Sequence, residues 1–279
     1  MTRLELDSAK LPNRASRRFA TGLLVVALAL MAGCATQSST QQSTTSPPAK
    51  AALNVSAASS LKSVLASIAP TFEKTNNVKL LFNYGASGLL IKQIEGGSPT
   101  DVFLSADASR VDTLTAEGLI SVEGTVTFAG NDLAILVAAG NPTGIHGPND
   151  LLKAAKLTTG DPAVVPQGAK AQEWLTNIGL WGALKPKFVF AGNAAQTDDY
   201  VARGEVDAGI GFASDARGRT DIEVAYRVPA AEITPIKYVG GLIKESKQAE
   251  LGSQFVTYLL SPDAQKAFAD AGFKPVPTQ

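Results

Sequence analysis

Leu53-Asn54-Val55-Ser56-Ala57-Ala58-Ser59-Ser60-Leu61-Lys62-Ser63-Val64-Leu65-Ala66-Ser67-Ile68-Ala69-Pro70-Thr71-Phe72 contains one change of period. Leu53 to Ala57 is an apolar run of strand length, and after it Leu61, Val64, Leu65, Ile68 and Phe72 fall at helical spacing. The alternation returns downstream as strand Val78 to Tyr84, helix Ser87 to Glu95, strand Val102 to Ser105 and a helix through Val111 and Leu114. Strand–helix order of this kind predicts an α/β fold with a mostly parallel sheet flanked by helices.

Further along, Leu133 to Ala138 is continuously apolar, as expected of a strand covered on both faces. It leads into a second set of units: helix Gly168 to Ile178 with Trp174 and Leu175 turned inward, strand Phe188 to Ala191, helix Gln196 to Arg203 and strand Ala208 to Phe212. Tyr238 to Ile243 reads as a final strand, and Leu251, Phe255, Tyr258 and Leu259 mark the buried face of a helix. Two α/β lobes are expected, with residues 51–131 and 234–279 in lobe I and 132–233 in lobe II. A weak internal echo, Asp101 to Ala108 against Ala208 to Ala216, fits that division.

Upstream of the fold, the basic cluster Arg14, Arg17 and Arg18 precedes the apolar run Phe19 to Met31 and the small residues Ala32-Gly33-Cys34-Ala35. That order has the layout of a secretory signal peptide, and the apolar run is shorter than the ~20 residues a membrane-spanning helix needs. Cys34, the single cysteine, makes it a lipoprotein signal over residues 1–33, with lipid carried on Cys34. Met31 stands where Leu is usual. Ser16-Arg17-Arg18-Phe19 keeps twin-arginine export open beside ordinary secretion. Residues 34–50, rich in Ser, Thr, Gln and Pro, have no apolar periodicity and read as a flexible tether. The protein is thus expected outside the cytoplasm, anchored to a membrane through Cys34.

Loss of residues 1–33 removes five basic and two acidic residues from 25 of each, leaving 20 basic and 23 acidic. So even a balance argues against nucleic acid as partner. With Cys34 lipidated no thiol remains for a disulfide or a thiolate metal site. His146, the sole histidine, lies in Asn141-Pro142-Thr143-Gly144-Ile145-His146-Gly147-Pro148, a turn by composition, which disfavours a Ser-His-Asp triad or a zinc centre.

Ligands of open α/β sheets collect at the carboxyl ends of the strands, where the next helix offers unpaired N–H groups. Two such loops, Ser56-Ala57-Ala58-Ser59-Ser60 and Asn83-Tyr84-Gly85-Ala86-Ser87-Gly88, carry small residues and hydroxyls but no carboxylate. That set suits a deprotonated oxyanion. Helix capping is the competing use of the same serines. Gly160 to Gly168 and Gly192-Asn193-Ala194-Ala195 precede helices of the second half and could aim backbone N–H groups at the same cleft, while Asp161-Pro162 reads as a turn.

Ala57-Ala58-Ser59-Ser60-Leu61, the long run Gln93 to Asp107, Gly160-Asp161-Pro162 with Val165-Pro166, and Gly209 to Ala216 come in an order and spacing that resembles the substrate-binding proteins of molybdate ABC importers. The resemblance covers Leu53 to Phe273. It implies the two-lobed type II periplasmic-binding-protein fold, each lobe a mostly parallel sheet flanked by helices, closing on dehydrated molybdate or tungstate. It places hydroxyl and backbone donors at Ser60 and Ser87 and backbone donors at Gln167 and Ala194, with Ser59 and Ser214 as secondary candidates. The metal would enter only as its oxyanion, with no cofactor. Many relatives have Tyr in Gly-Ile-Val-Tyr where this chain has Phe212, so one phenolic donor is missing or is replaced, for instance by Ser214, Tyr84 or water. A membrane permease and its cytoplasmic ATPase are the implied partners, and the protein itself is expected to act as a monomer.

Three other readings stay open at this point. The first is a receptor for another tetrahedral oxyanion such as sulfate or phosphate. The second is an extracytoplasmic enzyme with Ser59 or Ser60 as nucleophile and Lys62 as base. The third is a lipid-anchored adaptor, which would show a large apolar patch.

Overall fold

The computed structural model describes residues 50–276. The export signal, Cys34 and the tether through residue 49 lie outside the described residues. In chain order the first elements are β1 (Ala51–Ala58), a 3-10 turn (Ser59–Leu61) running into α1 (Lys62–Asn76), β2 (Val78–Gly85), α2 (Ser87–Glu95), β3 (Val102–Ser105), α3 (Ala108–Ala116) and β4 (Ile120–Asn131). The chain then crosses through β5 (Leu133–Ala138) to β6 (Leu157–Gly160), α4 (Pro166–Asn177), α5 (Trp181–Leu184), β7 (Phe188–Ala191), α6 (Ala194–Ala202), β8 (Ala208–Phe212) and β9 (Ile222–Arg227). It returns as β10 (Ile236–Ile243), α7 (Ala249–Tyr258) and α8 (Pro262–Asp270). No helix among the described residues is long and apolar enough to cross a membrane.

These strands build two five-stranded sheets, β2-β1-β3-β10-β4 and β7-β6-β8-β5-β9. The two-lobed architecture implied by the resemblance is present. Each sheet is mixed: four of its strands run in one direction and one, β10 or β5, runs against its two neighbours. Parallel neighbours need a crossover of a dozen or more residues, usually a helix. The chain instead passes between sheets through the short β4–β5 and β9–β10 connections, so β5 and β10 enter reversed. The internal echo falls on matching strands, since β3 and β8 are each third in their sheet and each lies between a parallel and an antiparallel neighbour.

Helix α1 forms because its apolar residues share one face: Val64, Leu65, Ile68 and Phe72 are buried while Lys62, Ser63 and Ala66 are exposed. It continues through Pro70, which has no N–H for the carbonyl of Ala66; both residues are exposed, so water can take that acceptor. Asn77, in the left-handed conformation at φ 49°, ends it. Phe72 meets Phe255 of α7 edge-on at 5.0 Å, fastening the C-terminal helix to the first. In the second lobe Trp174 and Leu175 are fully buried, as their spacing predicts, and the Trp174 indole N–H donates to Glu232 at 2.7 Å. Leu133 to Val137 are completely enclosed, which explains their unbroken apolar run.

Candidate anion-binding cleft

β1 and β2 are parallel neighbours, with Ala57 opposite Tyr84 and Ala58 opposite Gly85, so the turns that follow them lie side by side. Ser59 and Ser60 occupy the turn after β1, and Ser87 is the first residue of α2. Neither helix start carries a side-chain cap, and the cap positions are Ala58 and Ala86. The serines are therefore not consumed as caps. Ser87 is fully buried and its Oγ accepts from the Ala106 N–H at 3.3 Å, while Ser60 Oγ lies 3.0 Å from the Tyr238 hydroxyl.

The second lobe faces them with two more helix starts. Gln167 is the second residue of α4, behind Pro166, which has no N–H to leave unpaired. Ala194 is the first residue of α6, behind Asn193, whose side chain caps the helix by accepting from the Gln196 N–H at 3.0 Å. The first N–H groups of a helix have no intrahelical acceptor and carry the positive end of its dipole. Ser59, Ser60 and Ser87 from one lobe, and Gln167, Ala194 and Phe212 from the other, line a single narrow crevice. No residue lining it is ionisable. A roomier groove between α1 and α7 has a largely apolar wall, and the helix start on it is already capped by Ser261, so size alone points to the wrong place.

The lobes touch across the crevice. The Gly88 N–H donates to the Val164 carbonyl at 3.0 Å, and Arg110 Nη2 donates to the Ala163 carbonyl at 3.1 Å. A Cβ on Gly88 would come within 2.8 Å of that Val164 oxygen, so the approach requires glycine. Asp161 builds the turn that presents these carbonyls, accepting from Ala163 N–H through Oδ1 and from Val164 and Val165 N–H through its carbonyl. This is the turn role read from Asp161-Pro162.

Phe212 is buried with its ring 5.9 Å from that of Tyr238, and it brings no hydroxyl to the crevice. Of the replacements considered for its phenol, Tyr84 stacks on Phe82 at 5.3 Å and is not part of the lining. Ser214 also stands outside the crevice, in the adjoining pocket with Asp198, Asp215 and Arg219, where its Oγ accepts from Asn131 Nδ2 at 2.8 Å. Tyr238 and Asn131 are the polar groups next to the crevice that sequence reasoning missed. Tyr238 was legible only as the start of a strand, and its contact with Ser60 spans 178 positions. His146 is exposed in its turn, and Lys62 is exposed on α1 with no hydrogen bond to Ser59 or Ser60, so neither nucleophile nor base of a serine enzyme is assembled.

Behind the crevice, desolvation pushes the Asp215 carboxyl up to about 7 against the opposing pull of the Phe212 N–H, the Ser214 hydroxyl and Arg219. Burial, and then the neighbouring Asp215, raise Asp198 in the same direction. Since the ordinary value for Asp215 is 3.8, the folded state holds a proton between pH 4 and 7 that the unfolded chain releases. Its contribution to stability is full below pH 3.8, falls as pH rises through about 7 and is flat above. Asp215→Asn keeps an acceptor for the Phe212 N–H. It is expected to flatten that slope and to raise the melting temperature at pH 8 by roughly 4–8 °C, equivalent to about 2 kcal/mol. Thermal melts of both chains from pH 4 to 8 without anion check this, and parallel curves would refute it.

With this geometry in hand, residues 53–274 match the family of bacterial extracellular solute-binding proteins. The Bacillus subtilis protein YvgL, named as an ABC transporter substrate-binding lipoprotein, is 32% identical over 250 residues, 89% of this chain and 95% of that protein. The molybdate-binding protein ModA of Haemophilus influenzae is 30% identical over 231 residues, 81% of this chain and 91% of that protein. A solved substrate-binding domain assigned to a molybdenum ABC transporter of Clostridium difficile superposes with a TM-score of 0.64 at 36% identity, covering 81% of this chain and 99% of that domain.

Proposed function

The chain belongs to the bacterial extracellular solute-binding proteins, and from that premise we propose that it captures molybdate or tungstate outside the cytoplasm and delivers it to an ABC importer. It is a binding protein and not an enzyme, and the anion is cargo rather than cofactor. The observation that carries the choice of ligand is the lining: three serines and four helix starts converge from both lobes on a crevice with no ionisable side chain. A fully deprotonated oxyanion accepts from neutral donors on every side and meets no carboxylate to repel it.

In this reading Ser60 and Ser87 donate through hydroxyl and backbone N–H, and Gln167 and Ala194 donate through the peptide. Phe212 closes the wall as a ring without a donor, Ser59 is held in reserve beside Ser60, and Ser214 acts from behind rather than on the anion. Residues 51–131 with 234–279 form one jaw and 132–233 the other, and lipid on Cys34 keeps the monomer near its permease and ATPase. Energy for transport comes from those partners, because the chain has no phosphate-binding ATPase loop.

Calorimetric titration of the chain from Ala35 onward with molybdate, tungstate, sulfate and phosphate tests the reading. Molybdate and tungstate are expected to bind at least tenfold more tightly than sulfate, because the crevice selects by size where charge is equal. Sulfate binding more tightly than molybdate would overturn the assignment in favour of the other-oxyanion receptor.

A further inference from the structure

We propose that Asn131 and Tyr238 act as positioning residues that fix the direction of the Ser60 hydroxyl, so that its proton points into the crevice as an obligate donor to the anion. The inference rests on the oxyanion reading above and deepens it. Asn131, the last residue of β4, is buried, and its Oδ1 accepts from two backbone N–H groups, Asp132 at 2.9 Å and Ser214 at 3.4 Å. An amide nitrogen could accept from neither, so the orientation of the side chain is decided. Its Nδ2 then has two protons and two acceptors: Ser214 Oγ at 2.8 Å and the Tyr238 hydroxyl at 3.3 Å.

Tyr238 is fully buried, with its ring packed against Phe128, Phe212 and Phe273. Desolvation holds its phenol far above the ordinary range, so it keeps its proton. Having accepted from Asn131, the phenol can donate only to its remaining partner, Ser60 Oγ at 3.0 Å, and a buried O–H without an acceptor would be costly. Ser60 therefore receives a hydrogen bond from behind, and its own proton is left for the crevice. Ser87 is treated alike: the Ala106 N–H occupies its oxygen, and its proton is free. The phenol absent at Phe212 is thus present on β10 of the other sheet, its ring against that of Phe212, acting through Ser60 instead of touching the anion.

A double-mutant cycle on the full-length chain tests this, with molybdate affinity measured calorimetrically for the wild type, Tyr238→Phe, Ser60→Ala and the double variant. Tyr238→Phe keeps the packed ring and is expected to weaken binding about tenfold. Once Ser60 is alanine, the same change is expected to have no further effect. A purely structural role for Tyr238 would persist in the Ser60→Ala background, so additive losses overturn the relay, as does a Tyr238→Phe affinity within twofold of wild type. If Tyr238→Phe does not fold, Asn131→Asp takes its place. It turns the phenol's donor into an acceptor, and the penalty from its added charge cancels in the cycle. A wild-type chain that binds neither molybdate nor tungstate overturns the oxyanion reading and the relay together. A wild type that binds, with Ser60→Ala weakened and no coupling to Tyr238, overturns the relay alone.

Discussion

Replacing Ser60 and Ser87 together with alanine is expected to weaken molybdate binding by about 10²- to 10⁴-fold. Each hydroxyl gives a dianion a charge-assisted hydrogen bond worth about 1.5–3 kcal/mol, and each 1.4 kcal/mol is about tenfold in affinity. Binding is not abolished, because the peptide N–H groups at the starts of α2, α4 and α6 remain. The loss is specific to these two positions: Ser63, exposed on α1 and lining only the adjoining pocket, is expected to tolerate alanine with less than a twofold change. Ser87→Ala also leaves the buried Ala106 N–H without its acceptor, a stability cost of about 1 kcal/mol that lowers the melting temperature by roughly 2–4 °C. Affinities are therefore to be read well below the transition. A double variant within fivefold of wild type would move the anion away from the two serines.

The two loops that carry those serines were legible from local rules, an apolar run, a break to helical spacing and small residues at the junction, whereas the choice of Ser60 and Ser87 within them came from the resemblance alone. The same rules placed α2 at Ser87–Glu95, β3 at Val102–Ser105, β7 at Phe188–Ala191 and β8 at Ala208–Phe212. They set α4 and α6 two residues late, at Gly168 and Gln196 instead of Pro166 and Ala194. A first turn marked by Pro166 or by the Asn193 cap carries no apolar period, yet that turn holds the free N–H groups. Strands β4 and β9 went unread because much of their length is only half-buried, which blurs the alternation that identifies a strand. The sheets were expected to be mostly parallel because helical crossovers are visible locally, whereas the reversal of β5 and β10 depends on where the chain crosses between lobes. Tyr238 and Asn131 were invisible for a stronger reason. Their roles come from hydrogen bonds spanning 178 and 107 positions, which no local pattern encodes.

The largest effect on stability is expected from a residue that touches no anion. Gly168→Ala should destabilise the protein by about 3 kcal/mol or more and lower its melting temperature by roughly 6–12 °C. Gly168 is the third residue of α4, where the helix start lies against the end of β6. A Cβ there would sit 1.9 Å from the Gly160 carbonyl oxygen and 2.5 Å from its carbon. Both are backbone atoms of a buried strand and cannot swing aside as a side chain would. The helix must back away, and with it goes the Gln167 N–H one residue earlier, so the variant should lose anion affinity as well as stability. Gly182 on α5 provides the contrast, since a Cβ there meets nothing within 4 Å. Gly182→Ala is expected to be neutral or to stabilise by about 0.5–1 kcal/mol. Denaturant melts of both variants decide the point. If Gly168→Ala unfolds at the wild-type midpoint, close contact between α4 and β6 is not what positions the second jaw.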